Sequence, residues 1–181
     1  MPLEHHEPLS WVTFSLDAET QIAASRANFR RQMRSRRTLT RIAIAVIVFA
    51  GIGLGIGFLL GDADPASFAL ILGGEAIVIF PVLFLALYAV IPRRVRRLVR
   101  QNPVLGRPIE ACWSSAGLSA RGANGTSELA WSDFYGWHRA EIGFLLYLND
   151  QLYHVIPGAV LSRQQQDRLC AILETSGLRR L

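Results

Sequence analysis

The sequence predicts an α+β membrane protein: a transmembrane hairpin of two helices, then a cytosolic small β-barrel capped by one α-helix. Three observations carry this expectation. Residues 42–60 hold no charge and residues 68–91 hold one, Glu75. Each run is near or above the ~20 residues that cross a ~30 Å hydrocarbon core as a helix. Arginine blocks flank both runs, and after residue 102 the pattern breaks into short apolar stretches punctuated by turns.

Residues 1–40 read as a cytosolic strand and basic helix. "MPLEHHEP" is a loose tail. Residues 10–16, "SWVTFSL", alternate polar and apolar with strand-forming bulk at Trp11, Val12, Phe14 and Leu16. Trp11 and Phe14 have no other evident place to be buried, so this strand is expected to add to the C-terminal sheet. Asp17 offers an N-cap and Glu19 suits a first helical turn. Neither Pro nor Gly occurs from Asp17 to Ala50, which predicts one long helix continuing into the first span. Ile22, Phe29 and Met33 give it a thin apolar stripe.

The first span, 41–61, contains "FAGIGLGIGFLLG". A phosphate-binding loop needs glycines at set places between a strand and a helix, with Gly-Lys-Ser/Thr in the Walker form. No window here fits G-x-G-x-x-G, and the chain has no Lys. The glycines instead form the small-xxx-small pairs Gly51/Gly55, Gly53/Gly57 and Gly57/Gly61, which let helix backbones approach closely. They are expected to pack the first span on the second; the alternative is a face for a homo-oligomer. An external turn, 62–67, and a second span, 68–91, follow. In 92–102, "PRRVRRLVRQN", Val95, Leu98 and Val99 share one face, predicting a separate short helix along the headgroups that ends at Asn102-Pro103.

The charge pattern gives location. The formal net charge is +5, and all 19 basic residues are Arg. Seven lie in 26–41 (Arg26, Arg30, Arg31, Arg34, Arg36, Arg37, Arg41) and five in 93–100 (Arg93, Arg94, Arg96, Arg97, Arg100), with no acid in either block. Such juxtamembrane blocks meet an anionic inner leaflet, so membrane lipid is the expected partner and nucleic acid is not. The turn between the spans is acidic, which puts both termini in the cytoplasm of a multi-pass protein in the cell (inner or plasma) membrane. The first 25 residues lack the basic and apolar parts of a cleaved signal. Cys112 and Cys170 have no metal or redox spacing, and the four His form no ligand set. No metal and no cofactor are expected.

Residues 103–181 carry seven Arg and seven acids. "PIEACWSSAGLSARGANGTSELAW" reads as three strands, with turns at 115–117 and at Asn124-Gly125. "DFYGWHRA", "GFLLYLN" and "QLYHVIP" continue as strands, the last two joined at Asn149-Asp150. Ser162 with Gln165 is a capping box. Leu169, Ile172 and Leu173 form a helix face, and Gly177 stops it.

"LAWSDFYGW" followed by "FLLYLNDQLYHVIPGAVLS" resembles the YcxB-like family of bacterial membrane proteins. The order of strand, helix, two spans and β-rich domain is similar over most of the chain. Bacterial membrane-associated pleckstrin-homology-like domains share the layout, so the resemblance implies a pleckstrin-homology-like barrel and no catalytic residue. Family members often have a basic residue after Ile-Pro, where this chain has Gly158 and Ala159; no role is carried over to that place.

Among the functional candidates, Glu75 is the sharpest, because a carboxyl inside a span is expensive and often functional. It is set against the simpler reading of a snorkelling or protonated side chain. Trp113, Trp131, Trp137 and Tyr135 read as core more than as a recognition surface. Asp133, His138 and Glu141 lack an oriented nucleophile, and Ser132-Asp133 looks like turn chemistry. Arg121 alone is a weak phosphate site. The leading expectation is a non-enzymatic scaffold or binding module with a protein partner or a homo-oligomer; the rival is a small oligomeric transporter or channel subunit using Glu75. Topology is tested with cysteine reporters. Ala63→Cys is expected to react with an impermeant reagent in intact cells, while Ser35→Cys and Asn124→Cys stay unlabelled; labelling at position 124 reverses the assignment.

Overall fold

The structure, a computed structural model, describes residues 11–61 and 64–181. The expected tail, 1–8, the first residue of the expected strand and two residues of the interspan turn lie outside them. The described residues divide into two compact units, one of residues 25–94 and one joining residues 11–24 with 95–181.

Strand β1, Val12–Phe14, precedes helix α1, Ala18–Arg34. Asp17 caps α1 as its residue type suggests: Thr20 N donates to Asp17 Oδ1 at 2.8 Å. Hydrogen bonds from the Thr20 side chain and main chain hold that carboxyl below its ordinary pKa.

The single long helix expected from Asp17 to Ala50 is two helices. Ser35 is extended, with φ −67° and ψ 139°, and starts α2, Arg36–Leu59. Its Oγ accepts from Thr38 N at 3.2 Å and donates to Thr38 Oγ1 at 3.0 Å. A serine cap therefore ends one helix and opens the next without Pro or Gly. The helix expected over 92–102 is also not separate. Helix α3 runs unbroken over Pro65–Gln101, with Pro81 and Pro92 inside it. The interspan turn is correspondingly shorter than 62–67. Each proline removes one N–H from the ladder, a loss that helices in apolar surroundings tolerate better than helices in water.

In the unit of residues 25–94, α2 and α3 run antiparallel at close range. Gly57 meets Pro65, Gly53 meets Phe68 and Ala69, and Gly73 meets Ala50. Only 11% of the most apolar window of each helix is buried. Leu59, Leu70, Leu85 and many others point outward. Among the described residues these two helices are long and apolar enough to cross a membrane.

The other unit holds two antiparallel sheets and a helix. Strands β2 (Ile109–Trp113), β3 (Gly117–Gly122) and β4 (Gly125–Ala130) join β1 in the order β1-β2-β3-β4. Strands β5 (Gly136–Ala140), β6 (Gly143–Tyr147) and β7 (Tyr153–Pro157) form the second sheet in that order. Neither sheet closes on itself, so the expected barrel is a pair of open sheets with α4, Arg163–Thr175, packed on their core. The N-terminal strand pairs as expected, Val12 opposite Ala111 and Phe14 opposite Ile109.

The β3–β4 turn differs in detail from expectation. Gly122 pairs with Gly125, so the loop residues are Ala123 and Asn124, and the positive φ, 121°, falls on Gly125. The Asn149 turn forms as read: its Oδ1 accepts from Gln151 N and Leu152 N at 2.9 and 2.8 Å. The Ser162–Gln165 capping box is present, and Gly177, with φ 77°, follows the last turn of α4.

The core is set by β6, every residue of which is buried. Its two faces do different work, as alternation along a strand requires. Phe144 and Leu146 pack with Phe14, Trp131, Trp137, Leu169 and Leu173. Leu145 and Tyr147 pack with Ala24 of α1.

Phe14 is 7% exposed and joins a strand of only three residues to the main core. Phe14→Ala is expected to cost about 3 kcal/mol of unfolding free energy, read by denaturant titration of tryptophan fluorescence. Hydrogen exchange in the wild type should show 12–14 protected along with 109–111; rapid exchange at 12–14 alone would refute the pairing.

Candidate functional site

The glycine-rich segment of α2 divides into two faces. Residues two apart on a helix lie about 200° apart around its axis and residues four apart about 40°, at ~3.6 residues per turn. Gly53 and Gly57 are buried against α3, where an added Cβ would fall 2.7 Å from the Phe68 carbonyl carbon and 2.6 Å from Pro65 Cα. Gly51 and Gly55 face the other way, with no atom within 4 Å of such a Cβ. Gly61 has φ 68° and turns the chain. The two sequence readings thus separate by residue: one pair packs the hairpin, and the other leaves an open strip.

Glu75 is exposed on α3, beside Gly74, which is also open. Its neighbours on the inner face, Gly73 and Ala76, are buried. The carboxyl therefore points away from α2.

The arginines expected at the membrane surface are mostly exposed. Arg30, Arg34, Arg36, Arg37, Arg41, Arg93, Arg94, Arg96, Arg97 and Arg100 are exposed, and Arg31 is half-buried. Within residues 25–94 they lie at the end of the hairpin opposite Gly61. Two features were not read from the sequence. Arg26 stacks over Tyr88, 5.0 Å from the ring centroid, and Phe29 packs on the same ring at 5.9 Å. Arg96 pairs with Glu19 at 2.9 Å on an exposed surface, where such a pair adds little. A Tyr near the end of an apolar run is the signal that could have exposed the first, since such rings collect at membrane interfaces.

Several candidates of the C-terminal unit are engaged in the core, in turns or in main-chain hydrogen bonds. Trp131 and Trp137 are buried, Trp113 packs on the core, and Tyr135 is 39% exposed. Trp131 Nε1 donates to Ser114 O at 2.9 Å. Asp133 Oδ2 accepts from Ala130 N at 3.0 Å, which is the turn chemistry expected of it. His138 Nδ1 donates to a main-chain oxygen of Leu181 at 2.9 Å. Ser132 and Glu141 are exposed. Arg121 lies over the Trp11 ring at 4.2 Å. Burial pushes both cysteine thiols up, away from the thiolate a nucleophile needs. Desolvation holds His154 below its ordinary pKa, with Phe134 packed edge-on against the ring at 6.2 Å. Among the described residues no cluster of His, Cys, Asp and Glu could hold a metal.

Residues 113–173 match the family model described as YcxB-like protein. The YcxB-like segment spans β3 to β7 and most of α4; β1 and both apolar helices lie outside it. No curated protein and no solved structure matches the chain. The resemblance drawn from "LAWSDFYGW" and the Ile-Pro stretch falls within this YcxB-like segment. After Ile156-Pro157, Gly158 N donates to Ile142 O at 2.8 Å and Gly158 O accepts from Gln166 Nε2 at 3.0 Å.

The two glycine faces make a contrast that can be measured. Gly53→Leu is expected to force α2 and α3 apart and to cost about 1–3 kcal/mol, as overpacking does, read as a lower thermal midpoint in detergent. Gly55→Leu should leave the midpoint unchanged. Loss of a cross-linked dimer in Gly55→Leu alone would assign the open strip to self-association.

Proposed function

We propose that this chain is a non-enzymatic membrane scaffold. Its two apolar helices anchor it in the cell membrane with both termini cytoplasmic, and the tethered C-terminal unit is a pleckstrin-homology-like module that binds another protein or a second copy. The observation that carries this reading is the outward apolar surface of α2 and α3. Faces this large and continuous are unstable in water and match hydrocarbon in length. Basic ends and an acidic turn support the orientation. A four-stranded sheet, a three-stranded sheet and a terminal helix support the pleckstrin-homology-like assignment.

The non-enzymatic reading rests on what the polar groups do. The candidates near Asp133 and His138 are engaged in turns and main-chain hydrogen bonds, and both thiols are shifted upward. A binding module needs an accessible edge instead. Strand β4 ends its sheet and is exposed along most of its length, a geometry to which a partner strand can add.

A second reading, a small oligomeric transporter or channel subunit, draws on Glu75. Its carboxyl lies on an open helix face beside a glycine, where a neighbouring helix could come close. Flux in reconstituted vesicles separates the two. The scaffold reading expects no proton or ion flux from the wild type and a silent Glu75→Gln. A pH-dependent current in the wild type, lost in Glu75→Gln, would overturn it. Cross-linking in native membranes is expected to give adducts through the C-terminal unit.

A further inference from the structure

Helix α1 ends at Arg34, before the Ser35 cap, and lies beside α3, and the two helices line an open groove of about 310 Å3. The groove is built from pairs one helical turn apart. From α3, Pro81 with Leu85 and Phe84 with Tyr88 make an apolar wall. From α1, Phe29 with Met33 makes a second apolar strip, and Arg30 with Arg34 runs alongside it. Both arginines are exposed, and no acid lines the groove. Arg26 lies over the Tyr88 ring and Phe29 packs tilted against it, which ties α1 to the wall.

The apolar wall of this groove follows from unequal apolar lengths. The apolar part of α3 runs to Ile91, several residues beyond the point where its antiparallel partner α2 becomes basic at Arg41. The apolar strip of α1 lies against that surplus, so hydrocarbon and cation meet in one place. Free phosphate would engage the two arginines and leave the apolar wall uncovered. A lipid with a neutral headgroup would fill the wall and leave the arginines unmatched. An anionic phospholipid satisfies both.

We infer that the α1–α3 groove is a binding site for one anionic phospholipid, an acyl chain lying on the wall of Phe84 and Leu85 and the phosphate held by Arg30 and Arg34. The inference rests on the membrane-anchored reading above and adds a defined lipid to the unselective attraction of the remaining arginines. Arg30 and Arg34 stand at i, i+4, so both can reach one headgroup. Each cation near an anionic surface strengthens attachment by a modest amount, and the apolar wall adds burial that a bare surface patch lacks.

The test uses the full chain in mixed micelles of phosphatidylglycerol and phosphatidylcholine with identical acyl chains, with retained lipid counted by native mass spectrometry. One phosphatidylglycerol per chain is expected, preferred about tenfold over phosphatidylcholine. Arg30→Gln with Arg34→Gln should abolish the preference, whereas Arg107→Gln with Arg163→Gln, an equal charge loss elsewhere, should keep it. Leu85→Trp and Met33→Trp fill the groove from opposite walls and should each lose the retained lipid of either type. Millimolar inorganic phosphate should not compete. Equal retention of both lipids, retention unchanged by the groove variants, displacement by phosphate, or a lipid-free dimer sealed by Leu85→Cys cross-linking would overturn the site. Failure of the anchoring reading shows separately, as release of the chain from membranes by alkaline carbonate.

Discussion

The close approach of α2 and α3 at Gly53 and Gly57 is the contact on which the arrangement of residues 25–94 depends. Glycine puts backbone against backbone there, since a Cβ at either position would fall inside the neighbouring helix. In water this would be costly, because glycine weakens a helix by about 1 kcal/mol relative to alanine. Apolar surroundings lower that cost and reward close packing, because lipid offers no hydrophobic drive for helices to associate. The contact sets the register of the two helices. Register in turn brings the basic end of α2 beside the long apolar reach of α3, and the Ser35 cap lets α1 cover it.

The C-terminal unit obeys a different constraint. Its sheets are small, and β1 has only three residues. A strand that short contributes few ladder bonds, so it is held by the side chains that alternate into the core, Val12 and Phe14. The same logic explains the all-apolar β6. A strand reads as continuously hydrophobic only when both faces are covered, and Ala24 of α1 supplies the second cover. Residues 11–24 are thus part of the C-terminal unit although far from it in sequence.

Legibility followed the strength of local signals. The strands after residue 108 were readable because Gly, Asn and Ser punctuate them and their side chains alternate. The α4 helix was readable from its capping box and its Leu169, Ile172 and Leu173 face. Ser35 was not, because a serine amid arginines carries no weight unless its oxygen is known to accept from Thr38 N. Pro92 misled for the opposite reason: proline usually ends a helix, and α3 continues through it. The glycines were legible as packing residues, but both the Gly51/Gly55 and Gly53/Gly57 pairs have the same spacing. Only the position of α3 separates them. Closure of the sheets was also beyond local signals, since strand count and alternation are the same in an open pair of sheets and in a barrel.

Glu75 shows how little presence alone says about function. A carboxyl at the centre of a span costs roughly 3 kcal/mol on insertion scales, and less towards either end. Each apolar side chain fully withdrawn from water returns about 1.5–3 kcal/mol. The hairpin turns many such side chains outward around Glu75, so an anchored hairpin would tolerate the carboxyl. Its retention in the fold therefore requires no partner, no ion and no cavity. The chemistry that distinguishes scaffold from carrier is whether this group ever changes charge, and the outward position of Glu75 on α3 leaves that decision to whatever second surface meets it.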